Sequence, residues 1–366
     1  MTKDLLVITY TRDAATGLVL YNVATKATSK LPTDLIDIQA SSTAVRRVND
    51  DEVVVISATR AALLGVHLIR ISEPESEMFD RLLKSSTTVE LPTNIFSPAR
   101  TITFPRKYGD SIGTPSHAIF IPPHNPGFKA PKDSSPPPLI VWIHGGPTAH
   151  SSPGLSLKAQ YYTSRGYAYC LVNYAGSTSY GRKYREQLDY NWGLKDCEDT
   201  VSCIEYLAEE GLINKDKVGI TGSSAGGYTV LQGMVTFPKS FAAGCSLYGV
   251  GNLKSLAADT HKFESHYLFD LLFPSSAPDA EREKVYKDRS PCFHAKKIEA
   301  PLVMLQGDID MVVPLAQAQE MEKILRELGR DVKLVVFEDE GHGFVRGENV
   351  KRAIEEEEGL WRRCLL

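Results

Sequence analysis

No two of the six cysteines form a CxxC pair, and none of the 366 residues belongs to an Asn-x-Ser/Thr acceptor. Cys170, Cys197, Cys203, Cys245, Cys292 and Cys364 lie scattered. That excludes a disulfide framework and reads as small apolar residues kept reduced, so the expected compartment is cytoplasmic. Long apolar runs are also missing. The N-terminal MTKDLLVITYTRD holds one apolar run of six residues between charges, too short for a signal-peptide core or a membrane span. Charge of one sign is not in excess: 41 Lys and Arg face 45 Asp and Glu, and no basic stripe is visible. Neither a nucleic-acid partner nor a membrane is expected.

Metal-ligand spacing is absent as well. His261 and His266 stand five apart with no third ligand nearby, and His67, His117, His124, His150 and His294 form no pattern. The EEEE run at 355–358 reads as a solvated helix face.

What is present falls into two textures. Residues 1–100 carry short alternating, β-branched runs: DLLVITYTRD, ATGLVLYNVATK, DDEVVVISATR and GVHLIRIS. These predict antiparallel strands, a piece of a sandwich, barrel or propeller. The segment IPPHNPGFKAPKDSSPPPL (121–139), with seven prolines, predicts an exposed, semi-rigid loop. Across 101–366 the pattern changes. PLIVWIHGG, GYAYCLVNY, KVGITG, FAAGCSLYG, PLVMLQG and VKLVVFED are nearly continuous apolar runs, and amphipathic helical patterns lie between them. Buried strands alternating with helices predict a mostly parallel sheet covered on both faces, an α/β fold with its site at the carboxyl ends of the strands.

The chemistry-bearing residues lie at those ends. In GITGSSAGGYT a serine on a sharp strand-to-helix turn needs very small residues two before and two after it. Ser224 has Gly222 and Gly226; Ser223 has Thr221 and Ala225. Only Ser224 fits a G-x-S-x-G nucleophile elbow. A hydroxyl needs a base, and His342, just past VKLVVFED and flanked by Gly341 and Gly343, is the candidate. Asp308 and Asp310, in the turn after PLVMLQG, are both candidates for the acid that holds the imidazole. The glycines of HGGP (144–147) and the N–H of Ala225, which opens a helix, could stabilise a developing oxyanion.

Taken together, HGGPT, NYAGSTSYGRKYREQLDYNWGLKDCED, GSSAGGYT, SLYGV with DTHKFESHYL, QGDIDMVVP and FEDEGHGF resemble the prolyl oligopeptidase family of serine peptidases, in its acylaminoacyl- and dipeptidyl-peptidase-like branch. The resemblance covers the chain from about 90 onward. It implies an α/β-hydrolase domain with a Ser224–Asp310–His342 triad. The family's Gly-x-x-Asp-x-x-Val-Pro pattern falls on Gly307, Asp310, Val313 and Pro314, which selects Asp310 over Asp308. It also implies Gly146 as an oxyanion donor beside Ala225, a short peptide or acyl-amino-acid substrate, and no cofactor or metal. The arginine that some relatives carry two residues after the acid is Val312 here. The family's catalytic domain follows a closed β-propeller, whereas residues 1–100 suffice for about two blades. A truncated or open propeller is therefore expected, with free sheet edges that favour homo-oligomers. An esterase or thioesterase of small or specialised metabolites, and a catalytically silent form, are the alternatives to a peptidase.

Overall fold

The computed structural model describes residues 4–39, 44–71, 79–259 and 265–366. It contains two compact units: Met1–Thr101 with Ile121–Lys129 and Ser152–Arg165, and Ile102–Phe120 with Ala130–Ser151 and Gly166–Leu366.

The first unit is antiparallel, as its alternation predicts. Strands β1 (Leu5–Arg12), β2 (Ala15–Asn22) and β3 (Thr28–Lys30) form one sheet. A second sheet has the order β4 (Asp37–Ile38), β6 (Glu52–Ala58), β7 (Gly65–Arg70), β8 (Phe79–Ser85), with β5 (Val45–Arg47) also paired to β6. In β6 the buried positions alternate, Val53 and Val55 pointing inward. They join Leu18, Leu20, Leu35 and Ile69 in a small core. The β1–β2 hairpin closes on Asp13 and Ala14, both at positive φ (51° and 64°), the backbone twist that a two-residue connection needs. The unit also contains α1 (Leu157–Thr163), capped by the Ser156 hydroxyl.

The second unit is built on an eight-stranded mixed sheet. Its strands are β9 (Arg100–Pro105), β10 (Pro115–Ile121), β11 (Leu139–Ile143), β12 (Ala168–Asn173), β13 (Val218–Ser223), β14 (Ala243–Leu247), β15 (Leu302–Gly307) and β16 (Val332–Phe337), in the order β16-β15-β14-β13-β11-β12-β10-β9. From β12 to β16 neighbouring strands are parallel. The β12, β14 and β15 strands are buried at every position, which explains their unbroken apolar sequence. Helices α2 (Arg182–Arg185), α3 (Lys195–Glu209), α4 (Ala225–Thr236), α5 (Leu253–Asp259), α6 (Ser265–Leu272), α7 (Asp279–Arg289), α8 (Leu315–Glu327) and α9 (Gly347–Leu365) fill the connections. Strand order reverses at β11, which lies between β12 and β13. At that switch a parallel sheet leaves a crevice outside its carboxyl ends. The register there is level: Ile143 pairs with Gly222, Ser223 with Leu247, and Gly307 with Phe337.

Two sequence readings need comment. The run 355–358 is not a wholly solvated face: α9 turns Glu357 inward, 1% exposed, on the stripe of Ala353, Leu360 and Trp361. Four successive residues span more than one helical turn, so one of them must face the core. Five of the six cysteines are buried free thiols, and Cys364 is half-buried. Cys170 and Cys203 lie with their sulfurs 3.6 Å apart.

Candidate active site

Ser224 stands between β13 and α4 at φ 56°, ψ −120°. Its hydroxyl makes no cap bond to the helix, so the side chain is left to project from the turn. The neighbouring glycines meet a steric requirement. A Cβ on Gly222 would lie 2.6 Å from the Gly226 carbonyl oxygen, and one on Gly226 would lie 2.1 Å from that of Ile143. Holding a serine at this positive φ costs on the order of 1–3 kcal/mol, which the surrounding sheet must offset. The Ser224 N–H donates to Leu247 O at 3.0 Å, pinning the turn to β14.

His342 approaches from the loop after β16. Its Nδ1 lies 2.8 Å from Asp310 Oδ2 and its Nε2 lies 2.8 Å from Ser224 Oγ. The carboxylate only accepts, so Nδ1 carries the proton and Nε2 is free to accept from the serine hydroxyl. Asp310, its side chain fully buried, also accepts from the N–H groups of Val312 and Val313 at 2.8 and 2.9 Å and from Gln306 Nε2 at 3.1 Å. Burial pulls its pKa upward. The bonds from His342 and from the two N–H groups outweigh it and hold the carboxyl below its ordinary value. Asp308 is exposed and takes no part. The three residues expected from different strand ends are thus joined by hydrogen bonds.

The loop after β11 carries Gly146 at φ 120°, with a cis bond to Pro147. Gly146 and Ala225 border one recess with Ser224 and His342. Sequence reasoning missed the residue that orients this loop. Buried His144 places Nδ1 2.8 Å from the Gly145 carbonyl oxygen, and its Nε2 lies 2.7 Å from Ser177 Oγ. The carbonyl only accepts, so Nδ1–H donates and Nε2 receives the serine proton. In a trans peptide C=O and N–H point opposite ways, so fixing the Gly145 carbonyl aims the Gly146 N–H. Burial pushes the His144 pKa down to about 4, which keeps the ring neutral as this arrangement requires.

Glu340 was missed too. Fully buried two residues before His342, it accepts from the N–H groups of Val345 and Arg346, both at 3.0 Å, and from Asn349 Nδ2 at 2.9 Å. It closes the histidine loop onto the first turn of α9. Tyr248, at φ 39° after β14, sets its ring 4.8 Å from the His342 imidazole. The recess itself has a volume of about 330 Å³, and its walls include Trp192, Val250, Tyr267, Leu271 and Val312. They are apolar, and Val312 presents no charge there. A larger hollow of about 690 Å³ in the first unit has no serine, cysteine or histidine in its lining. His261 lies outside the described residues, and among those described no cluster of three or more His, Cys, Asp or Glu could hold a metal ion. Nor is any described helix long and apolar enough to cross a membrane.

A parallel sheet with a serine on a glycine-flanked strand-to-helix turn, and a histidine and acid on later strand ends, defines the α/β-hydrolase class. The sequence profile of the prolyl oligopeptidase family matches residues 153–366, and the chain belongs to that family. It is 33% identical over 235 residues to dipeptidyl aminopeptidase BIII of Pseudoxanthomonas mexicana, covering 64% of this chain and 34% of that protein. It is 29% identical over 238 residues to acylamino-acid-releasing enzyme 2 of Oryza sativa, covering 64% and 30%. Among solved structures, a puromycin-hydrolyzing peptidase of Mycobacterium tuberculosis superposes with TM-score 0.90 at 31% identity, over 100% of this chain and 54% of that one. The chain therefore spans about a third of the length of those two curated relatives and about half that of the solved structure.

Proposed function

We propose that this chain is a serine peptidase acting on short peptides and aminoacyl amides. The observation that carries the reading is the continuous hydrogen-bond chain Asp310–His342–Ser224, with 2.8 Å at both links. In this mechanism Ser224 Oγ attacks the substrate carbonyl while His342 Nε2 takes the hydroxyl proton. The Gly146 and Ala225 N–H groups stabilise the oxyanion. His342 then gives its proton to the departing amine, the C–N bond breaks, and an acyl-enzyme remains. Water, deprotonated by His342, hydrolyses that ester and restores Ser224. Asp310 stays ionised throughout, holding the imidazole in the required tautomer and stabilising the imidazolium. No cofactor or metal enters the scheme. The apolar recess supports an apolar side chain on the residue whose carbonyl is attacked, and the names of the relatives support peptides and aminoacyl amides as the substrate class. We divide the chain into a β-rich region at 1–100 and a catalytic domain at 101–366. Six free cysteines support a reducing, cytoplasmic setting.

A fluorophosphonate probe tests the nucleophile: wild type is expected to be labelled and Ser224→Ala not. Rates on aminoacyl p-nitroanilides and on p-nitrophenyl esters then separate peptidase from esterase. Rapid ester turnover beside negligible anilide turnover would overturn the peptidase reading, and a folded wild type that ignores the probe would overturn catalysis altogether.

A further inference from the structure

The pocket wall carrying Trp192 is a turn leading into α3, with Tyr190 at φ 62° and Gly193 at φ 84° in the left-handed region. Its hydrogen bonds run in both directions. On one side the N–H groups of Tyr190 and Trp192 donate to Asp270 O at 3.0 Å and Leu271 O at 3.2 Å. These are carbonyls of the last turn of α6, which have no partner within their own helix. On the other side Arg289 Nη1, at the end of α7, donates to the carbonyls of the same two residues, at 2.8 Å to Tyr190 and 3.2 Å to Trp192. Arg289 thus ties this turn to the end of α7. A second anchor follows one residue on. Gly193 N–H donates to Asp196 Oδ1 at 2.7 Å, and Asp196 Oδ2 accepts from Thr229 Oγ1 of α4, the helix that begins beside Ser224, at 2.6 Å. The Arg289 carbonyl in turn accepts from the Tyr228 hydroxyl at 2.9 Å, and the Tyr228 ring packs 4.5 Å from Trp192.

We propose that Arg289 is a specificity-determining positioning residue. It fastens the Trp192 stretch, whose own N–H groups bond the last turn of α6, to the end of α7 and so fixes the depth of the apolar recess, although it does not line that recess itself. The inference rests on the recess receiving the substrate's side chain. The wall residues Trp192, Tyr267, Leu268 and Leu271 belong to the stretch that Arg289 holds and to α6, which that stretch bonds in turn, whereas Ser224, His342 and Asp310 belong to neither. Loosening the clamp therefore affects recognition of a large side chain before it affects the chemistry. Burial lowers the Arg289 pKa, and the neighbouring Tyr228 and Asp196 partly counter that effect.

The test compares Arg289→Met and Arg289→Lys with wild type on N-acyl p-nitroanilides that carry Phe or Ala at the attacked carbonyl. In Arg289→Met the KM for the Phe substrate is expected to rise about tenfold, the typical worth of a hydrogen bond to a charged group, while the rate of fluorophosphonate labelling stays within about twofold. Arg289→Lys keeps a donor and is expected to recover part of the Phe-over-Ala preference. Equal loss on both substrates, or a fall in kcat with KM unchanged, would overturn the inference. Calorimetric binding of the two substrates to Ser224→Ala and to Ser224→Ala/Arg289→Met gives the same ratio without turnover. An inactive wild type would thus sink the peptidase reading, while an unchanged binding ratio would sink this one. Melting curves identify a variant that fails to fold, in which case the Lys variant decides.

Discussion

Asp308 and Asp310 are two residues apart on one turn, yet their surroundings oppose each other. Asp308 lies in solvent, whereas Asp310 is buried and receives Val312 N–H, Val313 N–H, Gln306 and His342. Asp310→Asn, which would force the wrong imidazole tautomer, is expected to lower kcat by about 10⁴. Asp308→Asn is expected to change it less than about threefold, and steady-state kinetics on one substrate separates the two. At this scale the sequence was informative where a requirement is local. Small residues flanking Ser224, and glycines flanking His342, can be read from a few letters. The choice between the aspartates could not be made from composition or spacing alone, because what distinguishes them is the direction in which the backbone N–H groups of the next turn point. His144 was hidden differently: it sat inside the HGGP motif, but its importance lies in a bond to the carbonyl of its own neighbour.

Among the elements, apolar runs placed six of the eight strands of the second unit: β12, β14 and β15 are almost wholly apolar because they are buried at every position, whereas β16, at the sheet edge, is only partly buried. The N-terminal strands were legible from alternation. Less visible was how a loop is closed onto the next helix. Glu340 has the look of one more acidic residue in FEDEGHGF, yet it is fully buried and ties Val345, Arg346 and Asn349 into the start of α9. Burial alone would raise its pKa, but the bonds from Asn349 and the two N–H groups lower it. Glu340→Gln keeps one acceptor oxygen and replaces the other with a donor that faces N–H groups. We expect a lower melting temperature, by roughly a few degrees for a loss of about 1–3 kcal/mol. We also expect a kcat loss larger than any change in KM, because the loop it closes carries His342 and not the pocket wall. Calorimetry beside steady-state kinetics checks both. The pocket wall was illegible for a further reason. Trp192, Tyr267, Leu271 and Val312 come from three separate stretches, and nothing within each stretch signals that the fold brings them together.

Over the whole molecule, two buried groups set opposite responses to acid. His144 titrates near 6.5 when unfolded and at about 4 in the fold. As pH falls from about 6.5 to about 4 the unfolded chain gains a proton that the folded chain refuses, so His144 withdraws stability. Asp196 ordinarily titrates at 3.8, and burial raises it to about 6 against the bonds from Thr229 and Gly193. As pH falls through about 6 the folded chain takes up a proton first, so Asp196 adds stability in nearly the same window. His144→Gln is therefore expected to flatten the acid-side decline in urea midpoint between pH 7 and 4, and Asp196→Asn to steepen it. The slopes, not the absolute midpoints, carry the comparison. The level register of β11 against β13 has a consequence of another kind. Ile143 and Gly222 are paired partners, so the loop bearing Gly146 and the turn bearing Ser224 leave the sheet one strand apart, about 4.8 Å. In the proposed mechanism the separation between Ser224 and the Gly146 N–H then follows from the repeat of the backbone ladder, whereas Ala225 shares the turn of Ser224 itself. On that reading a side-chain change can redirect the Gly146 loop, but the distance across which it must act is the interstrand spacing of the sheet itself.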